Sequence, residues 1–174
     1  MEISGYLEKK LVAWRAGERT KSKPVAAPLL ATAFGLGYLP VAPGTWASIA
    51  TTVAWFGLYQ WSIEAVFWLH IFVLISLSPI AVWASDRTAR VMKDPDPHQV
   101  VIDEVLGQSV TLLAAPVEWY WFLAALAAFR VFDIVKPSPV RQLERVSGGW
   151  GILLDDMMAG VYGCLLIGLW VYAS

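Results

Sequence analysis

The sequence lacks charge over long stretches and contains only one cysteine. Asp, Glu, Lys and Arg are all absent from Pro24 to Ile63, and they are absent again from Ala65 to Ser85. The single cysteine, Cys164, excludes a disulfide framework within one chain, and a packed thiol is the expected role.

The residues that fill these stretches are strongly apolar. Hydrophobic residues make up 57% of the 174, and ten are tryptophans. Because a spanning helix needs about 20 apolar residues, the sequence predicts an all-α integral membrane protein with four or five transmembrane helices, some of them short or broken. The candidate spans are 46–61, 65–84, 105–117, 119–135 and 152–173.

The first residues differ in composition from the rest. Six basic residues fall within the first 23, without an apolar stretch long enough for a signal-peptide core. We therefore expect 1–24 to be a basic cytoplasmic segment, either an amphipathic surface helix or a flexible tail. Residues 25–174 are expected to form a single membrane-embedded domain.

The remaining basic residues predict the topology. If 46–61 with 65–84 and 105–117 with 119–135 form two hairpins, every basic cluster returns to the cytoplasm. An irregular Gly/Pro loop then lies at the cytoplasmic interface, together with three motifs that carry carboxylates. Convergence at one membrane surface indicates one site.

Two of these motifs carry adjacent carboxylates. VVIDEVLGQ places Asp103 and Glu104 at the start of one helix, and GGWGILLDDMMAGVYG places Asp155 and Asp156 at the start of another. Buried carboxylates are costly in a membrane unless they face a polar cavity, and paired acids suit Mg²⁺. The structural alternative is a polar helix start that suits the helix dipole.

The third motif, FRVFDIVKP, spaces Arg130, Asp133 and Lys136 three residues apart, on one helical stripe. A carboxylate between two cations stays ionised and suits a metal, while the cations suit a phosphate. The alternative is a self-neutralising stripe that reaches the interface.

The irregular loop is GLGYLPVAPGT, residues 35–45. Backbone amides near glycine can bind anions, and a loop that leads through Gly44 and Thr45 into a helix N-terminus suits a phosphate. An ordinary connector before a transmembrane helix is the alternative.

Other phosphatase schemes fit poorly. Cys164 lacks the following arginine loop of a cysteinyl-phosphate enzyme, and DPDPH at 94–98 has His98 at its fifth position and no apolar strand before it. We interpret DPDPH as a turn-rich cytoplasmic loop. His70 lies within an apolar span, where a buried, hydrogen-bonded histidine is expected rather than a ligand.

Taken together and in this order, the four motifs resemble those of phosphatidylglycerophosphatase A, the bacterial inner-membrane lipid phosphatase. The resemblance covers roughly residues 30–165 and includes GLGYLPVAPGTWAS, the IDE of VVIDEVLGQ, FRVFDIVKPSPVR and GGWGILLDDMMAGV. One departure is Ala47, where the PGTxGS pattern of the family has glycine. No functional group is lost there.

The resemblance implies Mg²⁺-dependent hydrolysis of the phosphate monoester of phosphatidylglycerophosphate at a bacterial inner (cytoplasmic) membrane, by a multi-pass protein whose active site faces the cytoplasm. Our working hypothesis is a metal-activated water, with an aspartyl-phosphate intermediate as the alternative. The metal candidates are Asp103, Glu104, Asp155 and Asp156. Asp133 is a ligand or general base, which makes Glu104, Asp133, Asp155 and Asp156 the catalytic candidates. Arg130, Lys136, Gly44 and Thr45 are the substrate-binding candidates.

Two other classes of protein stay open at this point. A small membrane transporter or channel subunit also carries intramembrane carboxylates, although usually near the midplane. A noncatalytic protein that binds anionic lipids could use the same basic residues. Membrane lipids are expected partners and nucleic acid is not; the sequence leaves the oligomeric state open.

Overall fold

The computed structural model describes residues 26–174, and all regular structure in that range is helical. The helices are α1 (Ala26–Ala31), a 3₁₀ turn (Leu36–Tyr38), α2 (Pro43–Tyr59), α3 (Ile63–Met92), α4 (Ile102–Leu112), α5 (Trp119–Val135), α6 (Val140–Leu143) and α7 (Gly149–Ala173). The all-helical prediction is confirmed over these residues. The predicted basic segment 1–24 lies outside them.

Two helices, α3 and α7, are long and apolar enough to cross a membrane. Only 22% of the apolar window of α3 is buried inside the protein, so its apolar surface is not covered as it would be in a soluble core. By contrast, α4 has 11 residues and is about 16 Å long, well short of a hydrocarbon core of about 30 Å. The total of four or five spans stays a prediction.

Helix boundaries differ from the predicted spans where charged residues continue a helix. α3 continues past residue 84 to Met92, and this extension contains an ion pair of 2.9 Å between Arg90 and Asp86. α4 begins at Ile102, so Asp103 and Glu104 occupy its first turn, and it ends at Leu112 instead of continuing to residue 117. A prediction from the apolar runs alone therefore made α3 too short and placed α4 too late in the sequence.

The packing of α4 against α7 depends on small residues, and this pair makes the most extensive helix contact in the described range. A Cβ atom at Gly160 would overlap the backbone carbonyl of Gly107, and one at Gly163 would lie 2.7 Å from the side chain of Thr111. The Thr111 hydroxyl donates to the Gly160 carbonyl over 3.1 Å. Glycine at these positions lets the two backbones approach closely.

A set of hydrogen bonds away from the acidic motifs connects α2 to α3 and α4. Trp55 Nε1 donates to Ser109 Oγ over 3.0 Å, and the Tyr59 hydroxyl lies 3.1 Å from Nδ1 of His70. The fully buried His70 ring stacks on Trp55 with 3.7 Å between centroids. The prediction of a buried, hydrogen-bonded histidine is confirmed.

The directions of the helices bring the charged motifs to one end of the bundle. The first turn of α2 lies against α4 at Glu104, because Gly44 touches that carboxylate. The end of α5 reaches the start of α7 through Lys136 and Asp155, and Gly149 packs against the Val82 carbonyl of α3. Segments far apart in sequence therefore meet at one surface of the fold.

Candidate active site

A cleft of about 620 Å³ opens at this end of the bundle. Its walls come from the loop before α2, the loop between α3 and α4, the start of α4, the end of α5 and the start of α7. Of the candidate residues, the cleft is lined by Gly44, Asp103, Glu104, Arg130, Asp133, Lys136, Asp155 and Asp156. Thr45 is absent from this lining, and its backbone N–H donates to the Ala42 carbonyl over 2.9 Å.

Three carboxylates converge in the cleft wall. Asp103 and Glu104 come from the first turn of α4 and Asp156 from α7, and each offers an oxygen within 4.8 Å of the others. Asp103 is 9% exposed and Asp156 is 4% exposed. Three negative groups so close together and so shielded from water repel one another strongly unless a cation or protons lie between them.

Some oxygens of these carboxylates are buried without a hydrogen-bond partner among residues 26–174: Asp103 Oδ1, Glu104 Oε2 and Asp156 Oδ2. Buried polar atoms are nearly always paired in folded proteins. A hard divalent cation takes oxygen ligands, and Mg²⁺ in particular is usually held by few carboxylates and shares its shell with water and phosphate. The donor set therefore fits a divalent cation, without indicating which one.

Asp155 makes a different contact from Asp156. Its Oδ2 accepts from Lys136 Nζ over 2.6 Å, and the same ammonium lies 3.4 Å from Glu144 Oε1. Burial disfavours the charged form of Lys136, but the hydrogen bond and charge of Asp155 outweigh it and raise the pKa of Lys136 above its ordinary value. Lys136 is therefore a permanent cation beside the carboxylate cluster.

The other predicted cation, Arg130, pairs along its own helix. Arg130 Nη1 lies 2.7 Å from Asp133 Oδ2, and both side chains are largely buried. Lys136 leaves the predicted stripe because it caps α5 in a left-handed conformation, with φ of 47°. The stripe is thus self-neutralising for Arg130 and Asp133, whereas Lys136 crosses to α7.

The irregular loop shapes the cleft through glycine. Gly35 has φ of 101°, and Ala42, just before α2, has φ of 47°. A Cβ at Gly44 would overlap the Glu104 carboxylate, so glycine at this position lets α4 bring Glu104 against the first turn of α2. Ala47, the departure from the family pattern, is fully buried within α2.

The cleft also contains residues that the sequence analysis did not select. Asp96 and His98 line it from the loop after α3, and Glu144 and Arg145 line it from the segment before α7. The prediction of a turn-rich loop at 94–98 agrees with the Asp96 N–H donating to Asp94 Oδ1 over 3.1 Å. Nothing in the sequence placed that loop beside the carboxylates, since it carries no spacing that specifies a tertiary contact.

Chemically, the cleft combines a carboxylate cluster with two fixed cations. Lys136 and Arg130 can hold phosphate oxygens by charge-assisted hydrogen bonds, and the cluster can hold a cation that shares the same phosphate. All of these groups lie at one end of the bundle.

Comparison with known proteins gives a consistent result. The sequence model of the family described as Phosphatidylglycerophosphatase A matches residues 29–171. A Bacteroides thetaiotaomicron protein named "Putative phosphatidylinositol-3-phosphatase" is 39% identical over 149 residues, covering 82% of this chain and 93% of the relative. No solved structure matches the chain.

Two further relatives carry the name Phosphatidylglycerophosphatase A. The Haemophilus influenzae protein is 37% identical over 141 residues, covering 80% of this chain and 85% of its own length. The Escherichia coli protein is 36% identical over 137 residues, covering 76% of each chain. The family match spans most of the sequence and includes every motif that lines the cleft, so this chain belongs to the phosphatidylglycerophosphatase A family.

Proposed function

We propose that this protein hydrolyses the phosphate monoester of phosphatidylglycerophosphate, giving phosphatidylglycerol and inorganic phosphate for phospholipid biosynthesis, in a reaction that depends on Mg²⁺. The names of the Haemophilus influenzae and Escherichia coli relatives support the activity. The observation that carries the metal dependence is the meeting of Asp103, Glu104 and Asp156 within 4.8 Å.

In this proposal those three carboxylates hold the Mg²⁺ ion. Bound there, Mg²⁺ would supply charge neutralisation of the phosphate and a lowered pKa of bound water. Asp155, which we also predicted as a metal ligand, is not one of these three, and one of its oxygens binds Lys136. In our proposal Asp155 therefore positions Lys136 through Oδ2 instead of binding the metal, and its Oδ1 is left for the chemical step.

Lys136 and Arg130 would bind oxygens of the same phosphate by charge-assisted hydrogen bonds. Asp155 orients the Lys136 ammonium, and Asp133 orients the Arg130 guanidinium through the 2.7 Å ion pair. Preorganised cations stabilise the charge that develops on a phosphoryl group during transfer. Gly44 contributes by leaving space for Glu104. Thr45, the next residue of α2, lies outside the cleft lining, so we assign it no contact with the phosphate.

The chemical step is attack of water on phosphorus. The new bond joins the water oxygen to phosphorus, and the bond that breaks joins phosphorus to the terminal glycerol oxygen. The proton of the water passes to a carboxylate. We predicted Asp133 as a ligand or general base, but Asp133 Oδ2 is paired with Arg130, and we propose Asp155 for this step because its Oδ1 has no partner among the described residues. The departing glycerol oxygen takes up a proton from solvent to become the hydroxyl of phosphatidylglycerol.

We place the protein in the bacterial inner membrane as a multi-pass protein, with the cleft facing the cytoplasm. Support comes from the two apolar helices α3 and α7 and from the basic residues clustered at the cleft end of the bundle. A transporter would be expected to carry carboxylates near the midplane. The acids of this cleft instead lie in the first turn of α4, about two turns into α7, near the end of α5 and in the adjoining loops, at the same end of the bundle as the basic residues.

Phosphate release from phosphatidylglycerophosphate by the purified protein in neutral detergent tests this proposal. We expect release with Mg²⁺, none with EDTA, and a loss of at least about 100-fold in Asp156→Asn and in Glu104→Gln, because each removes a metal-site charge. Asp94→Asn, which changes an exposed acid outside the cleft, is the control. Undiminished release in EDTA would refute the metal mechanism.

The same assay with phosphatidylinositol 3-phosphate compares the substrate named for the Bacteroides thetaiotaomicron relative. We expect the higher kcat/KM for phosphatidylglycerophosphate. A higher value for the inositol lipid would contradict the proposed substrate while leaving the phosphatase chemistry in place.

A further inference from the structure

A second groove, of about 420 Å³, lies beside the acidic cleft. It is lined by Val135, Lys136, Pro137, Ser138, Arg141, Gln142 and Arg145, so its described lining contains three cations and no acid. Lys136 and Arg145 line both spaces. The basic groove and the acidic cleft are therefore neighbours that share a wall.

The cations of the groove differ in how far they are already neutralised. Lys136 is bound to Asp155 and Glu144. Arg141 and Arg145 are exposed, and neither forms a salt bridge with any residue of 26–174. A guanidinium presents a planar fork of donors that matches two oxygens of one phosphate. Of these two arginines, Arg141 lines only the groove, whereas Arg145 lines both the groove and the cleft.

The groove also adjoins an apolar surface. Val135 lines it, and the last turns of α5 expose Val131 at 55%, Ile134 at 71% and Val135 at 59%. Exposed aliphatic side chains on this helix suit contact with acyl chains. Apolar surface, basic groove and acidic cleft thus follow one another across the molecule.

A lipid that carries two phosphates has the same order of parts. In phosphatidylglycerophosphate the acyl chains are esterified to a first glycerol, which is followed by a phosphodiester, a second glycerol and the terminal monoester. We propose that the basic groove, through Arg141, is a subsite for the phosphodiester of the substrate, and that it selects lipids whose monoester is preceded by a second phosphate. This inference rests on the proposed function and adds a specificity determinant to it.

Arg141→Gln tests the subsite, with Arg87→Gln as the matched control. Arg87 is another exposed arginine near the end of α3, unpaired within the described range and outside both linings. Kinetics are measured with phosphatidylglycerophosphate in neutral detergent micelles, and inorganic phosphate, which carries no phosphodiester, is added as a competing ligand of the cleft. We expect Arg141→Gln to lower kcat/KM by about tenfold, chiefly through KM, since one charge-assisted contact is lost.

Three further readouts separate the subsite from a general effect. Inhibition by inorganic phosphate should be unchanged in Arg141→Gln, and Arg141→Lys should recover part of the loss because it keeps the charge. Arg87→Gln should match the wild type. An equal loss of kcat/KM in Arg87→Gln would mean that an exposed arginine acts only by attracting the protein to the lipid-containing micelle. An unchanged kcat/KM in Arg141→Gln would mean that the groove binds no phosphate. Either result overturns the inference.

Failure of the proposed function gives a different pattern. A wild-type protein that releases no phosphate with any divalent cation would refute the phosphatase assignment, and the subsite would fall with it. A wild type with normal turnover and an Arg141→Gln variant weakened equally toward inorganic phosphate would refute only the subsite, because the cleft itself would then be disturbed.

Discussion

At the scale of single residues, Gly44 controls how closely α2 can approach the acidic cluster. It occupies the first turn of α2, and the space that a side chain would fill there holds the Glu104 carboxylate. Gly57 lies in the same helix, where an added Cβ meets nothing within 4 Å. The two glycines therefore separate the effect of steric overlap at the cluster from the general effect of replacing glycine in a helix.

Gly44→Ala should lower turnover by about 100-fold, because displacing a metal-site carboxylate by about an ångström disturbs the reacting geometry. Gly57→Ala should leave turnover unchanged and should slightly favour the helix. Phosphate release by the two purified variants checks this pair. Similar rates for Gly44→Ala and the wild type would show that Glu104 tolerates a displacement and is not a ligand held in place by α2.

The charged residues of the cleft could be predicted from the sequence only in part. The sequence predicted the carboxylates and cations that line the cleft from α4, α7 and the last turns of α5, since uncommon charges in apolar surroundings are informative. It did not predict Asp96, Glu144 and Arg145, which line the cleft outside those helices. It assigned Asp155 and Asp156 one metal role, and the structure separates them. Successive helix residues point about 100° apart, so only the tertiary fold decides that Asp155 meets Lys136 while Asp156 meets Asp103.

At the scale of elements, the contact between α4 and α7 holds the cluster together, because α4 carries Asp103 and Glu104 and α7 carries Asp156. The two backbones lie close together at Gly107 and Gly160, where a Cβ added at Gly160 would overlap the Gly107 carbonyl. A side chain placed there cannot be accommodated by a rotamer change in its neighbour. The helices themselves must separate.

Gly160→Ala should therefore lower the free energy of unfolding by about 1 to 3 kcal/mol, as overpacking does, and should reduce turnover by moving Asp156 away from α4. Gly168→Ala is the matched control further along α7, since its Cβ would meet the Ala114 Cβ at an ordinary 3.8 Å. Thermal unfolding in detergent compares the stability of the two variants, and phosphate release compares their turnover. Equal stability of the two variants would contradict close α4–α7 packing as the constraint on the site.

The sequence predicted the presence of the helices more accurately than their first and last residues. Four of the five candidate spans correspond closely in position to α2, α3, α5 and α7, because long apolar runs and the Pro and Gly at their ends are strong signals. α4 was placed three residues late because its first turn carries two acids, which a search for apolar residues passes over. The loop at 94–98 was predicted as a loop, but its place in the cleft wall depends on tertiary contacts.

At the scale of the whole molecule, distant segments bring opposite charges to one end of an apolar bundle. Five carboxylates among the predicted residues, including the buried Asp103 and Asp156, share the cleft with Arg130 and Lys136. Such a concentration of buried acid is costly without a cation. One claim is therefore central: the cluster is a divalent-cation site that serves the chemistry on a lipid phosphate.

Binding of Mn²⁺, as a spectroscopic substitute for Mg²⁺, to the purified protein in neutral detergent tests that claim most directly. The comparison uses a triple variant, Asp103→Asn with Glu104→Gln and Asp156→Asn, and a matched triple of exposed acids outside the cleft, Glu64→Gln with Asp94→Asn and Glu118→Gln. We predict saturable binding by the wild type and the matched triple, and none by the cluster triple. Unchanged Mn²⁺ binding by the cluster triple would contradict the account.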